Sequence, residues 1–90
     1  CRGVTGQIHA MGRQAMCKPR KTLVKLTPDP GYMYVPDVVL VDRCNGMCGH
    51  HSQSCMKIES TMKKVHVMRL QRGARKSGCY ELEVEEHTRC

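Results

Sequence analysis

The sequence predicts a small, disulfide-rich all-β domain built on two long β-hairpins with a short helix in front, and three observations carry the prediction. Seven cysteines fall within 90 residues, Phe and Trp are absent with only three Tyr present, and the chain beyond Pro19 is dominated by strand-like runs separated by turn residues. A chain of this length forms one domain at most, and it has little with which to build an aromatic core. Ordering it costs on the order of 1.5 kcal/mol per residue, which apolar burial barely offsets in domains of this size. Covalent staples are the usual remedy, and the cysteine density points to an oxidising, extracellular setting.

The elements follow in order. Gly6–Met16 (GQIHAMGRQAM) places Ile8, Met11 and Ala15 at helical spacing, with Thr5 available as an N-cap. Gly12 weakens that helix by about 1 kcal/mol relative to Ala, so it needs a partner surface. Thr22–Leu26 is a β-compatible run, and TPDPGY, 27–32, is dense in turn residues and reads as a hairpin tip. Tyr32–Arg43 is a second strand, interrupted at Pro36 by an edge or a bulge. Cys55–Gln71 reads as a long strand ending in VHVMRL, and QRGARKSG, 71–78, as a basic second tip. The last strand, Tyr80–Glu85, alternates Tyr80, Leu82 and Val84 with Glu81, Glu83 and Glu85, so one side meets a packing surface and the other meets water. Four such strands bury only a thin apolar layer. No repeat, heptad, linker or low-complexity tract divides residues 1–90, which read as a single domain.

The formal net charge is +7, with cations gathered in Cys17–Lys25, in Lys63 and Lys64, and in Arg69–Lys76. Such patches suit an acidic protein face or heparan sulfate; in a secreted protein they do not point to nucleic acid. No apolar run is long enough for membrane insertion. The chain begins at Cys1 rather than Met and is expected to be a processed or trimmed piece, and Asn45, followed by Gly and Met, is no glycosylation acceptor.

The stretch RCNGMCGHH, 43–51, admits three chemistries. A thioredoxin-like redox pair needs two residues between its cysteines, and here there are three. Zinc could draw on Cys44, Cys48, His50, His51 and Cys55, but adjacent histidines seldom turn both rings to one ion, and no second knuckle follows. In the third, Cys44 and Cys48 flank Gly46 and form one side of a small disulfide ring closed by a cysteine near the C-terminus. Gly46 then clears room for a further bond to thread the ring, which is the logic of a cystine knot.

Cys17, then VPDVVLVDRCNGMC, Cys55 and the closing EEHTRC, together with CKPRKTLVKL and VHVMRL, resemble in their order the platelet-derived and vascular endothelial growth factor family, as a divergent, invertebrate-type member. The resemblance runs from about Gly6 to Cys90. It implies a cystine-knot growth factor in which Cys17 pairs with Cys55 through the ring and Cys44 pairs with Cys90. Cys48 would pair with a cysteine two positions past Cys90, the sequence being truncated there, or else with Cys1 or Cys79. The family's two interchain cysteines correspond to Val38 and Met47, so the usual cross-links cannot form. Cys1 and Cys79 are extra to the pattern, and a bond between them across two chains is a plausible replacement, with an intrachain bond the alternative.

The resemblance further implies a secreted ligand that binds and dimerises a receptor tyrosine kinase through its Ig-like domains, as an antiparallel homodimer. Its receptor contacts would be Ile8, His9, Gly12 and Met16 on the helix, Tyr32 and Met33 at the first tip, His50 and His51 in the middle loop, and His66, Leu70, Gln71, Arg72 and Gly73 leading into the second tip. Ile8, Met33 and Leu70 are the expected apolar anchors, and Arg72 and Arg75 the charges that steer association. The same scaffold could instead be a non-signalling extracellular binder, either an antagonist or a heparan sulfate-binding module. No nucleophile has a base beside it, so neither catalysis nor a cofactor is expected.

Overall fold

The chain runs α1 (Thr5–Ala15), β1 (Lys18–Lys25), β2 (Tyr32–Val35), β3 (Val38–Asn45), β4 (Glu59–Gln71) and β5 (Ser77–Arg89) in a computed structural model that describes residues 2–74 and 77–90. The helix sits one residue earlier than its periodicity suggests. Thr5 is its first residue and Val4 holds the cap position, while Met16 is already extended and forms a parallel bridge with Met47. Its end is fixed by backbone pairing: the Met47 N–H donates to the Ala15 carbonyl at 2.7 Å, and the Cys17 N–H donates to the Met47 carbonyl at 2.8 Å. Arg20 completes the stop. Its guanidinium donates to the carbonyls of Met16 (2.9 Å), Gln14 and Asn45 (3.1 Å), supplying a cation and donors where a helix leaves carbonyls unpaired.

Five strands form among the described residues, where the sequence suggested four. The run Tyr32–Arg43 is divided at Pro36, which cannot donate to a ladder and follows a cis Val35–Pro36 bond, and its two halves join different sheets. β3 pairs antiparallel with β1, from Lys18 opposite Asn45 to Lys25 opposite Val38. β2 pairs instead with β4, which pairs on its other edge with β5. β1 begins at Lys18 rather than Thr22, and β5 spans thirteen residues rather than six, because its alternation is continued by pairing beyond the apolar stretch. β4 begins at Glu59, later than Cys55, because Cys55 is committed to a disulfide.

The inner faces of the two sheets meet over Leu26, Val41, Val67 and Val84, the buried apolar side chains among the described residues, with Val24, Tyr34, Val39, Val65, Tyr80 and Leu82 packed around them. The rest of the apolar inventory stays outside: Leu23 is 72 % exposed and faces Leu40, 51 % exposed, across the outer side of β1 and β3. The described chain measures 63 × 27 × 19 Å with a radius of gyration of 18.8 Å, against about 12 Å for a compact globule of this length. Strand direction gives the long axis two different ends. β1, β3, β4 and β5 all have one terminus near the disulfides, and the 27–31 connection and residues 72–74 lie at the other.

Candidate binding surface

At the knot end, disulfides join Cys17 to Cys55 and Cys44 to Cys90, with Cα separations of 5.4 and 5.8 Å. Gly46 has φ +132°, and a Cβ there would lie 2.6 Å from the carbonyl oxygens of both Ala15 and Met16. What Gly46 clears is therefore the backbone leading into Cys17, the cysteine of the threading bond. Cys48 and Cys79 carry free thiols, and they cannot pair with each other within one chain because Cys48 lies at the knot while Cys79, opposite Met68, lies near the far end of the β4–β5 ladder. Cys1 lies outside the described residues.

His87 ties β5 to the knot: its Nδ1 accepts the Cys44 N–H at 2.8 Å, so the ring binds here as a neutral acceptor while Nε2 faces Glu85 at 3.5 Å. Glu85 also accepts from Lys57 and from the Ser60 hydroxyl at 3.1 Å. The Lys57 bond first, and the Ser60 bond second, hold the Glu85 carboxyl below its ordinary range.

The helical residues expected in the binding surface come together. Ile8, His9, Gly12 and Met16, joined by Arg13 and Met47, line a shallow groove of about 500 Å³. No residue of α1 is buried, and Ile8, Met11 and Met16 are 43, 59 and 39 % exposed. His50 and His51 follow Cys48 in an exposed turn, their rings stacked at 4.4 Å. Helix and middle loop thus belong to the knot end.

The tip residues form a second group. Tyr32 pairs with Gln71 and Met33 with Leu70, and the Arg72 N–H donates to the Gly31 carbonyl at 2.8 Å, joining the two tips within one chain. Gly73 turns the chain at φ +77°. His66 stands apart, halfway along β4, where its Nε2 lies 3.1 Å from Glu81. Arg75 and Lys76, counted in the basic tip, lie outside the described residues. The sheet is two-sided here: Met33, Val35, Met68 and Leu70 share the outer face, while Tyr32, Tyr34, Arg69 and Tyr80 share the inner one. Partial burial and then Tyr80 push the Tyr34 hydroxyl above its ordinary pKa. Sequence reasoning passed over Arg69; the signal was its parity with Val65 and Val67, which turns it inward beside the tyrosines.

The two groups cannot meet within one chain. β4 alone separates them by twelve steps of about 3.3 Å, roughly 40 Å. Among the described residues no cluster of three His, Cys, Asp or Glu could hold a metal ion, and no helix is long and apolar enough to cross a membrane.

Paired long strands, a glycine-cleared crossing and disulfides linking the strand ends define a cystine-knot scaffold. The family is then specific: the PDGF/VEGF domain matches residues 17–90, and the chain belongs to that family. It is 29 % identical over 82 residues to the snake venom vascular endothelial growth factor toxin barietin of Bitis arietans, and 28 % identical over 82 residues to vascular endothelial growth factor A-A of Danio rerio. Each match covers 87 % of this chain, but 55 % and 43 % of the relatives, so the chain spans about half the length of the curated relatives it matches. The crystal structure of the Orf virus NZ2 variant of VEGF-E superposes with a TM-score of 0.78 at 25 % identity, covering 89 % of this chain and 87 % of that one.

Proposed function

We propose that this chain is the receptor-binding domain of a secreted growth factor, working as an antiparallel homodimer that binds Ig-like domains of a receptor tyrosine kinase and brings two receptors together. The observation that carries the reading is the separation of two candidate groups by roughly 40 Å along β4. A two-fold axis across the long direction sets the helix and middle loop of one copy beside the tips of the other and repeats the combined site at the opposite pole. The apolar side chains left outside the thin core give such a dimer its contact area. Val38 and Met47 occupy the positions where family members carry interchain cysteines, so these positions contribute packing rather than a covalent link. Two sites per particle make signalling a consequence of bivalency.

Light scattering should give twice the chain mass, and the dimer should drive receptor phosphorylation in cells; a monomeric mass at micromolar concentration would remove the reading. A second reading, a non-signalling binder on the same scaffold, draws on the naming of one relative as a venom toxin. It predicts receptor binding without phosphorylation. Heparan sulfate is a further partner that the +7 charge suits, and it predicts retention on heparin that declines with salt.

A further inference from the structure

The guanidinium of Arg69 sits 4.7 Å from the centroid of the Tyr32 ring and 4.2 Å from that of Tyr80, and Tyr80 stacks on Tyr34 at 5.8 Å. All three tyrosines of the chain therefore gather around one cation. Strand register puts them there: Arg69 stands between Tyr34 on β2 and Gly78 on β5, with Tyr32 and Tyr80 on the diagonals. Stacking occupies the flat faces of a guanidinium and leaves its edge of N–H donors free. Among the described residues the Arg69 side chain has no hydrogen bond and no ion pair, although it is half-buried. Asp29, whose charge acts on Tyr34, makes no ion pair among the described residues either.

Beside this edge opens a pocket of about 280 Å³ lined by Tyr32, Arg69, Gln71, Ser77, Gly78 and Cys79. Gly78 keeps it open: a Cβ there would meet nothing within 4 Å, and its backbone has ordinary strand conformation. Gln71, of the same strand parity as Arg69, adds an amide at the rim. We infer that this pocket is a subsite for one acidic side chain of a protein partner, an Asp or Glu carboxylate taking two parallel N–H bonds from Arg69. A guanidinium held over two rings has lost much of its rotamer freedom before binding, and its fork matches the two oxygens of a carboxylate. Among the described residues the pocket is lined by one recessed cation and admits one side-chain head, which favours a protein carboxylate over a sulfated chain that needs a row of exposed charges. Met33 and Leu70 lie on the opposite face of the same strands, so a partner holding both would grip the tip from two sides. The inference rests on the receptor reading for the partner's class, and on the Arg69 geometry alone for the ligand's chemistry.

Two arms test it with the full chain. In the first, the Arg69 Nε–H resonance is followed by NMR while N-acetylglutamate or a heparin disaccharide is added to the wild type and to Gly78→Leu, which fills the pocket from the strand position opposite Arg69 and keeps the guanidinium. The resonance should move with N-acetylglutamate in the wild type only; no movement, or movement with the disaccharide alone, overturns the carboxylate assignment. In the second, Arg69→Gln, Arg69→Lys and Gly78→Leu are compared against a panel of receptor kinase ectodomains. Each should weaken binding about 10- to 100-fold, the lysine variant included because it keeps the charge and loses the fork. Unchanged affinity for Gly78→Leu and Arg69→Gln overturns the assignment to that partner. Should the wild type bind no ectodomain, the receptor reading falls, and the first arm still decides the pocket.

Discussion

The knot end and the tip end of this chain are held by different forces. At the knot, backbone touches backbone: Met47 bonds to both Ala15 and Cys17, Gly46 passes against the Ala15 and Met16 carbonyls, and two disulfides lock the crossing. At the tip, side chains do the holding, with Arg69 between two rings and Tyr34 stacked on Tyr80. A backbone-held region is intolerant at a few positions and permissive at its surface. A region held by side chains changes its surface whenever it changes its support, so partner preference is more readily altered at the tip.

The sharpest break in this comparison is Gly46→Ala. Its methyl group would enter the 2.6 Å gap to two carbonyls at a φ that disfavours side chains, and stability should fall by about 3–5 kcal/mol. Peptide mapping after oxidative refolding should show Cys17–Cys55 largely lost. Each native disulfide closes a span of about 40 residues, worth about 4 kcal/mol in the chain-entropy model, so Cys17→Ser with Cys55→Ser should destabilise comparably. At the tip, Tyr80→Ala should cost about 2 kcal/mol of unfolding free energy, read from denaturant titration, and leave knot pairing intact, since it removes ring stacking without moving backbone.

Smaller effects sharpen the contrast. His87→Leu removes the acceptor for the Cys44 N–H and should cost about 1–3 kcal/mol. Arg20→Ala should cost about 1 kcal/mol and lower helical circular dichroism, because the freed helix carbonyls can turn to water. The smallest is a pH effect. The Glu85 carboxyl is lowered in the folded state, so its contribution is present above the ordinary carboxylate value of 4.5 and is lost as pH falls below that through the folded value. Glu85→Gln should lower stability near pH 7, where the contribution is fully present, and flatten the acid side of the profile, the difference from wild type closing as pH falls through the folded value.

Much of this was legible because it depends on local pattern. The alternation of Tyr80, Leu82 and Val84 with glutamates places β5, and the Cys44–Gly46–Cys48 spacing marks the knot. Less legible features depend on tertiary choice. Pro36 signals an interruption, but nothing local says that Tyr32–Val35 will leave its own hairpin for β4. Thr5 is a good N-cap by type, yet the helix is fixed from its other end by Arg20 and the knot, so it starts at Thr5 itself. Arg69 looked like one charge in a basic run; only the register of three strands makes it the centre of the tyrosine cluster.

The central claim is that one binding site is shared between two copies of the chain. It is tested most directly by placing a photoreactive benzoylphenylalanine at Ile8 in one chain and mixing it with ¹⁵N-labelled wild type before irradiation. Mass spectrometry should find hybrid peptides joining position 8 of one chain to 31–34 or 69–74 of the other. Cross-links confined to residues of the same chain, with no hybrid peptides from the tips, would contradict the account.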